Sequence, residues 1–315
     1  MKKEYVNLEF SFGNIPEPVE SDDMIYHYCS MNTLDAILKS KKVRLYDLLS
    51  MNDTSELQLR RINFAKRLFD YFKKNPFDFE YEANGFKGDF ESYLFPQGMN
   101  YQLTHGGLFT VLSFALCMSS KCNSLSQWRL YGNDGRGVCL GFDKNLINEF
   151  LNNNDNFSIH KVQYIDDFYK LIDSLVEEKY FQIKALCEKC DNEKLLEIQH
   201  TLFDDIYWEA SKYKVGDYSN EDEIRLVYQQ KEASIMPNAS PTMLKNRFDD
   251  NSIDLDIIRD DLRIFKTIDV EHLGLKSIVL GPRNNTSKQM INLLLAKRNF
   301  VDDISVYKSY IPYRG

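Results

Sequence analysis

The stretch NEDEIRLV (220–227) carries Glu221, Glu223 and Arg225 at alternate positions. On an extended strand these three side chains share one face, and Ile224 and Leu226 take the other. Two carboxylates in line with an arginine are one way a pocket acquires an oriented carboxylate, because Arg225 favours the ionised form of Glu223 by charge pairing. The same pattern also describes a solvated sheet face. A second candidate is His27 in MIYHYCS (24–30), one of five histidines, between Tyr26 and Tyr28. On a strand it points opposite to both tyrosines. Its two readings are a hydrogen-bonded core imidazole and a side chain that holds a ligand.

Two further stretches could carry chemistry. In SLSQWRLYGNDGRGVCLGF (124–142), Trp128 and Tyr131 are three apart beside a glycine-rich turn. On a short helix they share a face, either as a core anchor or as an aromatic wall for a planar ligand. In MNDTSE (51–56), Asn52 and Asp53 open a helical pattern, so capping is the plain explanation. The chain contains no GxGxxG, GxxxxGK, HExxH or GxSxG signature, and five histidines are few for a His-rich metal centre. CEKC (187–190) is a single CxxC. A structural zinc site needs four ligands, so no metal is expected.

These residues are positioned by a succession of short elements. Strands are expected at 24–30, 41–47, 108–120, 137–143, 157–164, 221–229, 262–269, 276–281 and in 304–314, from short apolar or alternating runs. Helical periods occupy 32–38, 51–74, 144–152 and 286–299, with one or two turns at 124–132. Strands outnumber long helices and do not alternate with them as β-α-β units. The pattern is α+β: a central antiparallel or mixed sheet with flanking helices and a helical insertion around 165–212. No linker or repeat interrupts it, so residues 1–315 read as a single domain with an irregular segment at 1–23.

Bulk properties narrow the classes. A net charge of −8 and a pI near 5.3 argue against broad charge-driven binding to nucleic acid, although a local basic groove is compatible with them. Aromatic residues make up 13% of the chain, as in a packed globular protein. The longest apolar run, GLFTVLSFALCM (107–118), falls short of the roughly 20 residues of a membrane helix, and the N-terminus lacks an apolar signal region. The expectation is a cytoplasmic protein with no membrane partner. Its six scattered cysteines are expected to be reduced and mostly buried.

The succession YHY…IL…MND..E…QWRLYG…GVCLGF…NEDEIRLV…IVLGP…SYIPYR resembles a widespread bacterial family of unknown function, from about residue 24 to 314. Its opening, a strand with YHY, a helix ending in IL, another strand and then ND, also resembles bacterial ADP-ribosyltransferase toxins, including those that modify DNA. That second resemblance implies a split antiparallel sheet and NAD⁺ as substrate. It implies three catalytic positions: His27 on the first strand, a middle position open between Tyr131 and Ser119, and Glu223 on a late strand. It further implies nucleotide contacts from Tyr28, Arg44, Asn52, Asp53, Ser119, Trp128, Arg129 and Arg225. In that scheme His27 orients the adenosine-side ribose, Tyr131 or Trp128 stacks on nicotinamide, and Arg44 or Arg129 pairs with the pyrophosphate.

The expected function is therefore an ADP-ribosyltransferase or NAD glycohydrolase, of the toxin or phage-defence kind. Its acceptor would be nucleic acid or protein, and it could have a regulatory partner protein. Two other readings stay open: a nucleotide-binding sensor without turnover, and a metal-dependent nuclease using Asp53, Glu56, Glu221 and Glu223.

Overall fold

Ser30 ends the first strand and caps the first helix. Its hydroxyl accepts from the backbone N–H of Thr33 at 3.1 Å, and Lys41 closes the helix in the left-handed region. Leu34, Ile37 and Leu38 form the buried stripe that the i, i+3, i+4 spacing predicts. Local chemistry of this kind repeats along the chain. The computed structural model describes residues 15–48, 67–68, 70–75, 80–83, 86–89, 110–187, 212–235, 253–258, 260–300 and 303–313.

In chain order the elements are β1 (Met24–Cys29), α1 (Met31–Ser40), β2 (Lys42–Asp47), β3 (Glu80–Ala83), β4 (Phe86–Asp89), β5 (Thr110–Ser119) and α2 (Leu125–Leu130). There follow β6 (Val138–Asp143), α3 (Lys144–Asn152), β7 (Phe157–Lys161), β8 (Gln163–Ile165), α4 (Phe168–Cys187) and β9 (Tyr213–Val215). The remainder is a 3-10 turn (Gly216–Glu221), β10 (Glu223–Ile235), β11 (Ile253–Ile258), β12 (Asp261–Asp269), α5 (Val270–Leu273), β13 (Leu275–Leu280), α6 (Lys288–Lys297) and β14 (Ser305–Lys308). The fold is α+β, with a mixed sheet of many strands flanked by helices, as the element pattern predicts. Among the described residues no helix is long and apolar enough to cross a membrane.

The chain divides into two compact units: residues 1–41, 120–147 and 273–315, and residues 42–119 and 148–272. In the first, the strand order is β1-β6-β13-β14, antiparallel except for the parallel β13–β14 pair. Its core is built from Tyr26, Tyr28, Cys122, Trp128, Cys139 and Val279. In the second, the order is β11-β12-β2-β5-β10-β7, antiparallel throughout, and a short parallel pair joins β8 to β9.

Several expectations shift. The strand expected at 221–229 begins at Glu223, because Asp222 adopts φ 46° and breaks the extended run. The strand expected at 157–164 divides around Val162 into β7 and β8. The 165–212 insertion contains α4, and residues 188–211 lie outside the described residues, as do 1–14 and most of the helix expected at 51–74. Cys29, Cys122 and Cys139 are buried thiols outside any disulfide, and Cys117 is a partly buried thiol outside any disulfide.

The glycine-rich turn 132–137 is set by close backbone packing in the first unit. Asn133, Asp134 and Gly135 all have positive φ. Gly137 donates to the Gly132 carbonyl at 2.8 Å and accepts from Gly281 at 3.0 Å. A Cβ on Gly137 would stand 2.2 Å from the Cys29 carbonyl oxygen, so the backbone itself would have to move. Gly137→Ala is expected to destabilise the protein by about 2 kcal/mol or more, measured by urea unfolding. An unchanged midpoint would show that this contact is soft.

Candidate functional site

Glu223 opens β10 in the second unit, and the strand's register assembles its surroundings. Ser119 of β5 lies opposite Glu223 and Cys117 lies opposite Arg225. On the other side, β7 places His160 opposite Arg225. Directly opposed residues share a face, so one side of three adjacent strands carries Glu223, Arg225, Cys117, Ser119 and His160. The solvated-face reading is overturned: Glu223 is 5% exposed and Arg225 6%.

Burial of this kind requires pairing. Glu223 Oε1 accepts from Arg225 Nε at 2.7 Å, and Oε2 accepts from the same guanidinium at 3.2 Å. The i, i+2 spacing on a strand is what allows this two-point contact. Lys214 Nζ, from β9, donates to Glu221 Oε2 at 2.7 Å and reaches Glu223 Oε2 at 3.5 Å. Glu221 and Lys214 are 4% and 5% exposed. The Ser119 hydroxyl donates to the Glu221 carbonyl at 3.0 Å, and the Glu223 N–H donates to the Tyr164 hydroxyl at 2.9 Å. Two acidic and two basic side chains therefore balance in one buried cluster.

The electrostatics follow from this geometry. Burial on its own would raise the Glu223 carboxyl, but the charge and hydrogen bonds of Arg225, then Lys214 and the Cys117 thiol, outweigh it and hold the group at about 2. Burial disfavours the charge on Lys214, yet Glu223 and Glu221 still raise it above its ordinary value. Cys117 is pushed well up, first by burial and then by the neighbouring Glu223 charge, so its thiol is not poised as a nucleophile. Burial takes the Tyr164 phenol up to about 12. A carboxyl this acidic is a poor proton shuttle near neutrality. What it supplies is a fixed negative charge in a weakly screened environment, suited to stabilising positive charge that develops nearby.

The other candidates fall in different places. His27 is half-buried on β1 of the first unit. In the same unit, Tyr28 donates to the Lys121 carbonyl and accepts from the Ser124 N–H, both at 2.9 Å. Its ring packs edge-on against Trp128 at 4.8 Å. Trp128 is 0% exposed and its Nε1 donates to Asn123 Oδ1 at 3.0 Å. Trp128 is therefore a core anchor with no exposed ring face, and Tyr28 is built into the same core. The exposed aromatic of α2's end is Tyr131, at 40%, and Arg129 is exposed beside it.

In the second unit, Arg44 pairs with Asp256 and lies 4.2 Å over the Phe265 ring, an exposed arrangement that ties β2 to the β11–β12 hairpin. Asn52, Asp53 and Glu56 lie outside the described residues, as does Cys190, so neither the ND positions nor the paired-acid nuclease reading is located. Among the described residues no group of three or more His, Cys, Asp and Glu side chains could hold a metal ion. The structure thus brings together Glu223, Arg225 and Ser119. It also adds four residues that sequence reasoning passed over: Lys214, Tyr164, Cys117 and His160.

A family described as a protein of unknown function (DUF2971) matches residues 127–226, from α2 to the start of β10. The matched region contains Glu221, Glu223 and Arg225 as well as Trp128 and the glycine-rich turn. No curated protein and no solved structure matches the chain.

The depressed Glu223 pKa has a consequence for stability. The unfolded chain titrates this carboxyl near its ordinary value of 4.5, against about 2 when folded. Its contribution, on the order of 3 kcal/mol, is complete above pH 4.5 and is lost as pH falls from there through about 2. Urea unfolding is expected to show a steeper loss of stability below pH 4.5 for the native protein than for Glu223→Gln. Parallel acid limbs would contradict the assigned ion pairing.

Proposed function

We propose that the protein cleaves the nicotinamide–ribose bond of NAD⁺, as an ADP-ribosyltransferase or NAD glycohydrolase, with Glu223 as the group that stabilises the transition state. The observation that carries this reading is a carboxylate 5% exposed that Arg225 grips at 2.7 and 3.2 Å and Lys214 reaches at 3.5 Å, contacts that keep it ionised. Cleavage of that bond passes through an oxocarbenium-like state, as glycoside hydrolysis does. A preorganised negative charge stabilises such a state more than it stabilises the ground state. The 3.5 Å reach from Lys214 is longer than either Arg225 contact, and it is the one that yields when the carboxylate meets a ribose hydroxyl. Arg225 keeps the charge in place through that exchange. The resemblance to ADP-ribosyltransferases implies a ribose contact from His27, a nicotinamide contact from Tyr131 or Trp128, and a middle catalytic position at Tyr131 or Ser119. A toxin or phage-defence role, a cytoplasmic location, and a nucleic-acid or protein acceptor belong to the same proposal.

A second reading, a nucleotide-binding module without turnover, is favoured by one observation. Both Glu223 oxygens already accept from cationic donors, which is also how a purely structural charge is kept.

The two readings separate in one assay. With NAD⁺, and with nucleic acid and protein acceptors in turn, the native protein is expected to release nicotinamide. Glu223→Gln is expected to slow that release by about 10²–10³-fold. His27→Ala and Tyr131→Ala report whether either residue serves the same reaction. Saturable NAD⁺ binding with no nicotinamide release by the native protein would favour the binding module.

A further inference from the structure

Away from Glu223, the first unit carries a second cluster of charged and aromatic side chains, gathered from three distant parts of the chain. Its organiser is Asp134 in the glycine-rich turn. The left-handed backbone at Asn133, Asp134 and Gly135 presents the Asp134 side chain at the surface, 52% exposed. The turn is locked to the end of β13: Arg283 donates its N–H to the Gly135 carbonyl at 2.8 Å. That contact lets the Arg283 guanidinium bond the Asp134 carboxylate, which also accepts from the Tyr313 hydroxyl. Arg283 lies 5.6 Å from the Tyr313 ring centroid. Arg129 hydrogen-bonds to Tyr313, and Arg136 adds its charge beside Asp134.

Two guanidinium groups, Arg283 and Arg136, thus act on one carboxylate and Arg129 joins them through Tyr313, a local excess of positive charge in a chain whose net charge is −8. Asp134 orders the arginines without neutralising them. Arg283 is already fixed, with its side chain 27% exposed, so little of its rotamer freedom remains to be lost on binding. Arg129 and Arg136 are exposed, and Tyr131 adds an aromatic ring 40% exposed. Planar guanidiniums recognise phosphate oxygens in a forked geometry, and an exposed ring such as Tyr131, two residues along the chain from Arg129, is a surface on which a base can stack.

We propose that Arg129, Arg136 and Arg283 form a binding site for the phosphate of a nucleotide, free or within a single strand, with Tyr131 as the stacking surface. Arg129 and Tyr131 are also nucleotide contacts in the resemblance to ADP-ribosyltransferases, but this site is argued from the Asp134 cluster and does not require the reaction assigned to Glu223.

The test uses the full chain and two probes. A fluorescein-labelled single-stranded oligonucleotide is followed by anisotropy, and ADP-ribose by calorimetry. The native protein is expected to bind at least one of them, and which one it binds identifies the source of the phosphate. Arg129→Ala combined with Arg136→Ala removes two exposed side chains and is expected to weaken binding about tenfold or more. For the oligonucleotide it should also flatten the dependence on salt, by about 0.7 in log–log slope for each lost contact. Arg67→Ala, at a surface arginine that pairs with Asp173 in the other unit, is the control and leaves affinity unchanged.

Asp134→Asn separates this role from a structural one. Asparagine tolerates the left-handed backbone and can still accept from Tyr313. Removing the negative charge is expected to tighten binding severalfold, whereas loss of a purely structural ion pair would weaken or not change it. Binding of neither probe, unchanged affinity in the double arginine variant, or unchanged or weaker binding by Asp134→Asn overturns the proposal. Repeating the titration with Glu223→Gln keeps the two assignments apart, since this site predicts undiminished binding whether or not that variant has lost an activity.

Discussion

A carboxylate cannot be taken out of water in the middle of a sheet on its own. The idealised transfer cost is on the order of 20 kcal/mol, and several remain after relaxation. Glu223 is buried because Arg225 lies two residues along the same strand and Lys214 arrives from β9. The architecture around β10 follows from meeting that requirement. Asp222 turns the chain sharply, so Glu221 leaves the strand yet still reaches Lys214. The β8–β9 pair supplies both Lys214 and Tyr164. Ser119 ties the Glu221 backbone to the end of β5. Each contact secures the others, which is why such a cluster behaves as a unit rather than as a sum of pairs.

The first unit depends on a different constraint, close approach of backbone to backbone. Gly137 sits where a side chain would strike the Cys29 carbonyl. The turn it closes is held over Trp128, which is sealed against Tyr28. Those two aromatic residues spend their polar groups on internal bonds to Asn123, Lys121 and Ser124. The chemistry on this unit is therefore displayed by residues around the turn, Arg129, Tyr131 and Asp134, and not by its core aromatics.

Much of the fold was legible in the sequence because local signals agreed with the outcome. Leu34, Ile37 and Leu38 carry the helical period of α1, and the apolar runs within 137–143 and 276–281 are strands. The fork of Glu223 and Arg225 was readable from alternation alone. Its burial was not, since a charged strand face looks the same in sequence whether water or neighbouring strands cover it. Lys214 lies in a three-residue strand whose partner is about fifty residues away, so no local pattern announces it. Cys117 and His160 join the cluster through register between β10 and its neighbours, which pairing alone determines. Trp128 and Tyr131 were readable as core or as ligand wall, and only the burial of Trp128, with its hydrogen bond to Asn123, and the exposure of Tyr131 tell them apart.

The central claim is that Glu223 is a buried, permanently ionised carboxylate, and it can be observed directly. With ¹³C-labelled glutamate, the Glu223 carboxyl resonance is assigned by its loss in Glu223→Gln and followed from pH 7 to the onset of acid unfolding. The account predicts a chemical shift that stays at the ionised value throughout the folded range, because, despite burial, Arg225 and Lys214 hold the carboxyl well below the usual glutamate range. A titration centred near the ordinary glutamate value, within folded protein, would contradict it.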